Sequence, residues 1–136
     1  FLMTNMMPQT AANNEHTWGN LENDTRALVQ NGNEAYIYCG SYGNAGTIDN
    51  GHVIVPTNTW KIVVILPKGD NDINRITTGT RVIAVNIPNS NSVDADWKNY
   101  ITTVSDIEAA TGYNFFSTIA DGAVKDTLKS KKDSGN

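Results

Sequence analysis

Asn13-Asn14-Glu15-His16-Thr17-Trp18-Gly19-Asn20-Leu21-Glu22-Asn23-Asp24-Thr25-Arg26 is the stretch that organises the chain. Wound at about 100° per residue as a helix, it gathers Trp18, Leu21, Thr25, Leu28 and Val29 on one semi-apolar face, with Asn20, Asp24 and Ala27 opposite. Asn14 then projects near the middle of the apolar face, and Glu22 and Arg26 lie along its margin. A carboxylate and a guanidinium four residues apart are neighbours on a helix surface. A carboxamide, a carboxylate and a guanidinium leaning inward together make either an ordinary buried polar cluster or a holder for a hydrated metal and a phosphate. Periodicity alone leaves both readings open.

The chain around this helix has 136 residues, enough for one domain with a real core and too few for two. A hydrophobic fraction of 39% fits a soluble globular protein. No run approaches the roughly 18 apolar residues of a membrane span, so no membrane partner is expected. The chain opens Phe-Leu-Met, without an initiator Met or the charged and apolar regions of a signal peptide. A processed form or a fragment is therefore expected. The net charge of −4 argues against a nucleic-acid binder working through bulk positive charge, but leaves room for an enzyme with a local arginine and a metal. Cys39 is the single cysteine, so no disulfide forms within the chain. Its company of Tyr36, Ile37 and Tyr38 predicts a buried strand residue rather than a reactive thiol.

In chain order, residues 1–8 read as a short buried strand stopped by Pro8. The helix runs from a cap at Asn13 or Asn14 to about Gln30 and stops at Asn31-Gly32-Asn33. Strands are predicted at 34–40, 52–55, 60–66, 81–87 and 100–104. The run Trp60 to Leu66, the most continuously apolar, is expected at the centre of the sheet. Ser105-Asp106-Ile107-Glu108 has the spacing of a capping box, with Gly112 as terminator. Residues 113–119 offer aromatic packing. The domain is expected to occupy residues 1–120, with a weak helix at about 121–129 and a disordered tail to 136. Strands joined by loops with helices inserted predict an α+β domain with a mostly antiparallel central sheet and flanking helices.

Most familiar chemistries are excluded. There is no Gly-rich phosphate loop, no Cys/His set with zinc spacing and no serine nucleophile elbow. His52, after Asp49-Asn50-Gly51, opens a strand behind a hairpin-like Asn-Gly turn and reads as structural rather than as a general base. His16, in the first turn of the helix, reads as a surface or packing residue.

What remains resembles a family. Phe1-Leu-Met-Thr-Asn-Met-Met-Pro-Gln9, Asn14-x-x-x-Trp18-Gly-Asn-Leu-Glu22-x-x-x-Arg26, Val55-Pro56 with Thr59-Trp60-Lys-Ile-Val-Val64, Thr80-Arg-Val-Ile-Ala-Val-Asn-Ile-Pro88 and Thr111-Gly-Tyr-Asn-Phe-Phe116 resemble, in order, the DNA/RNA non-specific endonucleases. These are the sugar-non-specific ββα-metal (His-Me finger) nucleases, and the likeness is to their cyanobacterial branch. The resemblance implies a Mg²⁺-dependent enzyme, with Mn²⁺ or another divalent ion as a substitute, that cleaves DNA and RNA, single or double stranded. It implies Asn14 as the direct protein ligand of the metal, Glu22 as the carboxylate orienting metal-bound water, and Arg26 as the contact to the scissile phosphate. Asn5 is implied as a hydrogen-bonding support.

The family's Asp-Arg-Gly-His motif, whose histidine is the general base, has no counterpart in these 136 residues, and Asp49-Asn50-Gly51-His52 does not replace it. The chain is thus expected to be the C-terminal part of the nuclease domain, inactive by itself, with the missing N-terminal segment as a partner alongside nucleic acid. The competing expectation is a catalytically inert nucleic-acid-binding or interaction module. A secreted or periplasmic location follows from likeness to bacterial members, and the oligomeric state is left open.

Overall fold

Trp60 to Leu66 takes the central place that an unbroken apolar run requires. In the computed structural model, which describes residues 7–136, this run lies in β4 (Asn58–Pro67). It is flanked by β1 (Asn33–Tyr42) on one side and β5 (Arg81–Pro88) on the other. A short β6 (Ile101–Thr102) completes an antiparallel sheet in the order β1-β4-β5-β6. The β1–β4 register runs unbroken from Asn33↔Pro67 to Tyr42↔Asn58. The α+β architecture with an antiparallel sheet and flanking helices is as the sequence predicts.

Alternation along β4 feeds two cores. Trp60, Ile62 and Val64 point to one face, where they pack with Val82, Ala84, Phe115 and Phe116. Val104 and Ile107 of α3 (Val104–Thr111) and Leu128 of α4 (Ala123–Ser130) cover them. Val63 and Ile65 point to the other face, under Trp18, just before α1 (Gly19–Gln30), and Leu21 in its first turn, and beside Trp97. Each such fully buried aliphatic side chain contributes about 1.5–3 kcal/mol. The sheet is therefore clamped between α1 and the α3/α4 pair, and α1 is held at a fixed place over β4.

Several elements differ from the sequence reading. The strand expected at 52–55 shrinks to β3 (Val53–Ile54), paired with β2 (Thr47–Ile48) in a separate ribbon. The Asp49–Gly51 turn between them has Asp49, Asn50 and Gly51 all at positive φ, as a tight connection demands. The strand expected at 100–104 reduces to β6, preceded by a single turn at Trp97–Tyr100. A short α2 (Asp72–Arg75) interrupts the polar loop after β4. Helix α3 starts two residues earlier than the Ser105 capping box: Thr103 is the cap and its hydroxyl accepts from the Asp106 amide. Gly112 terminates it at φ +78° as expected.

Cys39 corrects the expectation of burial. It is exposed, because β1 is an edge strand among the described residues. The segment after α4 is not a free tail. Asp133 takes a two-pronged hydrogen bond from Arg81, at 2.9 and 3.0 Å, and Lys131 donates to the Thr80 carbonyl. The strand expected over residues 1–8 lies mainly outside the described residues, as does Asn5; Met7 and Pro8 are in neither helix nor strand. Among the described residues no helix is long and apolar enough to cross a membrane.

Candidate active site

The helix that opens the chain is not α-helical throughout. Ala12–Trp18 is a π-helix, continuous with α1. A π-turn closes i→i+5 bonds and takes in about one residue more than an α-turn, so each residue advances roughly 80° rather than 100°. The difference decides which asparagine faces the core. In a purely α-helical register Asn14 would sit amid the buried face, as the sequence reading placed it. The π segment instead buries Asn13, Thr17 and Trp18, while Asn14 is exposed.

The same rotation aligns the candidate residues. Eight α-helical steps leave Glu22 about 80° around the helix from Asn14; with four of those steps in the π segment, the offset falls to roughly 10°. Arg26 follows one α-turn further, about 40° on. Asn14, Glu22 and Arg26 therefore share one exposed stripe on the flank of the buried face, and all three are solvent-accessible. The anchors beneath are polar. Asn13 Nδ2 donates to Thr59 Oγ1 at 3.0 Å, the Thr17 hydroxyl donates to the Asp94 carbonyl, and Asn20 Nδ2 donates to the Ala95 carbonyl at 2.9 Å.

The expected intrahelical Glu22–Arg26 pair is absent. Arg26 takes Asn23 Oδ1 as its partner at 3.0 Å. Glu22 faces Lys61 of β4, with Nζ to Oε1 at 3.7 Å. Lys61 is the residue the sequence reading missed. It alternates onto the α1 face, its side chain is only 6% exposed, and its ammonium lies 4.2 Å from the Trp18 ring centroid, a cation–π distance. Burial pushes the Lys61 amine below its ordinary value, and the neighbouring Glu22 carboxylate opposes that shift. Its sequence signal was a single charge inside the apolar run Trp60–Leu66.

Glu22, Arg26 and Lys61 line an open groove of about 500 Å³ together with Trp18, Ile37 and Cys39. The groove thus offers a carboxylate, a guanidinium and an ammonium over an apolar floor. The Asn14 carboxamide is exposed and has no hydrogen-bond partner among the described residues. One neutral oxygen ligand, with a carboxylate about two turns along the same stripe, suits a small hard cation that keeps most of its waters. It does not suit zinc, and among the described residues no group of three or more His, Cys, Asp or Glu side chains could enclose a metal. The histidines stay apart from the stripe's chemistry: His52 is exposed on the β2–β3 ribbon with Asp49 at 3.8 Å, and His16 is exposed on the π segment.

A sequence model described as DNA/RNA non-specific endonuclease matches residues 1–122. A nuclease of Nostoc sp. (strain PCC 7120) is 48% identical over 133 residues, covering 98% of this chain and 48% of that protein. Mitochondrial endonuclease G of Homo sapiens is 26% identical and that of Bos taurus 25%, each over 131 residues, covering 88% of this chain and 42% of theirs. The chain spans about half the length of these relatives.

Proposed function

Because the chain belongs to the DNA/RNA non-specific endonuclease family, we propose that it supplies one side of the active site of a divalent-metal-dependent endonuclease that hydrolyses the phosphodiester bonds of both DNA and RNA. The observation that carries this reading is the exposed stripe of Asn14, Glu22 and Arg26 beside the Lys61 groove.

Each residue has a distinct task. The Asn14 oxygen would hold Mg²⁺, or Mn²⁺ in its place, a small hard cation that keeps most of its waters. Glu22 would orient metal-bound water from one layer out, and Lys61 faces the Glu22 carboxylate from β4. Arg26 presents a planar, permanently charged donor to a non-bridging phosphate oxygen, and its hydrogen bonds strengthen as charge develops there. When bound, the metal supplies Lewis-acid stabilisation of the charge that builds on phosphate and leaving oxygen. Contacts made to phosphate and metal rather than to base edges carry little sequence information, which suits a substrate range spanning DNA and RNA.

The proton acceptor for the attacking water is assigned outside residues 1–136, to the histidine of an Asp-Arg-Gly-His segment of the same domain. Neither His16 nor His52 supports that role. That segment is thus the proposed protein partner, and a secreted or periplasmic setting is proposed from likeness to bacterial members.

The test is digestion of plasmid DNA and of RNA in Mg²⁺. Residues 1–136 alone should leave both intact. The chain joined to its Asp-Arg-Gly-His segment should degrade both, and chelator should stop it. Robust digestion by residues 1–136 alone would overturn the assignment of the base. Binding of nucleic acid without cleavage by the joined protein would return the chain to an inert binding module.

A further inference from the structure

The π segment carries a buried polar pair that metal binding does not use. Asn13 is fully buried, and its Nδ2 donates to Thr59 Oγ1, also fully buried, at 3.0 Å. Its Oδ1 finds no partner among the described residues. A carboxamide is an expensive occupant for a core position, since each buried polar atom without a partner costs about 1–3 kcal/mol. In the α-helical register residue 13 would turn away from the sheet and Asn14 would take its place in the core. One residue of helical register thus separates two orientations of Asn14, about 80° apart around the helix.

We propose that Asn13 and Thr59 are a positioning pair: burial of residue 13, made tolerable by its hydrogen bond to Thr59, locks the π register and turns Asn14 out of the core onto the stripe with Glu22 and Arg26. Thr59 belongs to β4, the strand that also carries Lys61. One strand therefore fixes both ends of the site, with Thr59 setting the rotation of Asn14 and Lys61 facing Glu22. The consequence for metal binding rests on the role given to Asn14 above; the register lock itself does not.

The test separates the two. In a Cys39→Ser background of the 136-residue chain, Asn14→Cys places a thiol on the segment, and its rate of modification by a thiol reagent reports exposure. Fast labelling is expected, like that of the exposed Cys39. Adding Thr59→Val should abolish the fast labelling, and adding Thr59→Ser should keep it, because serine retains the hydroxyl. In the chain with its native Asn14, Mn²⁺ affinity read by electron paramagnetic resonance should fall about 10- to 100-fold with Thr59→Val, the range for lost support of a metal ligand, and should hold with Thr59→Ser.

Equal, fast labelling with threonine and with valine at 59, at unchanged far-ultraviolet circular dichroism, would overturn the lock. Slow labelling in the parent would overturn it too. Should Thr59→Val unfold the chain, Thr59→Ala decides, since it removes the same hydroxyl from a smaller side chain. Loss of fast labelling there supports the lock, and retained fast labelling overturns it. If the labelling pattern holds and Mn²⁺ binds none of the proteins, the lock stands and the metal role of Asn14 falls.

Discussion

Lys61 Nζ lies 3.7 Å from Glu22 Oε1 across the gap between β4 and α1, yet the two partners are unequally placed. Glu22 is 49% exposed at its side chain, whereas Lys61 is 6% exposed. Water can replace lysine as the partner of Glu22, but it cannot readily replace glutamate as the partner of Lys61. Removing one member of a buried pair is costly chiefly through the charge it strands, while exchanging the buried member for an apolar isostere is often neutral. Glu22→Gln should therefore lower unfolding free energy by about 1–3 kcal/mol, and Lys61→Met should change it far less. Urea denaturation of the two variants checks the ranking, and the reverse order would show that Lys61 is well hydrated.

Arg26 is expected to act on the reacting phosphate rather than on folding, since its one hydrogen-bonded partner is the exposed Asn23 on its own helix. In the nuclease with its Asp-Arg-Gly-His segment, Arg26→Ala should reduce kcat by about 10²–10³-fold, the loss typical of one donor to a developing oxyanion. Arg26→Lys should recover only part of it, because an ammonium cannot reproduce the planar two-donor geometry. Steady-state kinetics on a defined oligonucleotide, alongside thermal melting, would separate this from a stability effect. A lowered melting temperature with unchanged kcat would assign Arg26 a structural role.

Gly40 faces Trp60 across the β1–β4 ladder. A Cβ at residue 40 would stand 2.7 Å from Trp60 Cζ2, and the ring is hemmed in by Phe115 and Tyr113 at centroid distances of 5.2 and 6.1 Å. Gly40→Ala should thus overpack the edge of the first core and cost about 1–3 kcal/mol, visible as a lowered melting temperature. A stability equal to wild type would mean that β1 shifts freely at this point.

Asp106, in the first turn of α3, accepts a hydrogen bond from the Thr102 hydroxyl at 2.8 Å and interacts with Thr103. These contacts favour the carboxylate and hold its pKa below the ordinary 3.8. A depressed folded-state value means that the unfolded chain binds this proton more readily. The contribution is therefore present above 3.8 and is lost as pH falls through the lower folded value. Exposure and solvent screening keep it small. Wild type should be more stable than Asp106→Asn at neutral pH, and the difference should shrink below 3.8. Urea midpoints across that range provide the measurement, and a difference independent of pH would leave the shift without thermodynamic weight.

Much of this molecule is legible in its sequence because burial writes long, simple patterns. The run from Trp60 to Leu66 identifies the central strand, and Gly112 marks the end of α3 at the residue where φ turns positive. The candidate residues are legible by motif, but their rotation about the helix is not. Periodicity assumes one angle per residue, and the π segment breaks that assumption over Ala12–Trp18, so Asn14 reads as core-facing and its neighbour Asn13 only as a candidate cap. Lys61 was hidden because an apolar run reads as a strand whether or not one of its members carries a charge. Cys39 was misjudged for a related reason: aromatic and β-branched company signals a strand, but only the strand order reveals that β1 is at the margin.

That margin has a consequence for the isolated chain in solution. Among the described residues β1 shows its outer edge through ten residues with a single charge, Glu34, no proline and no break in register. Tyr36, Ile37 and Tyr38 remain 42%, 52% and 41% exposed along it. Natural sheets blunt such edges with lysine, proline or a bulge, because an uncovered apolar strand is a template for pairing with another molecule. The 136-residue chain is therefore expected to have a low solubility ceiling, reached by edge-to-edge assembly of folded molecules rather than by unfolding. Ile37→Lys, a charge placed at the middle of the template, should raise that ceiling without altering the melting temperature.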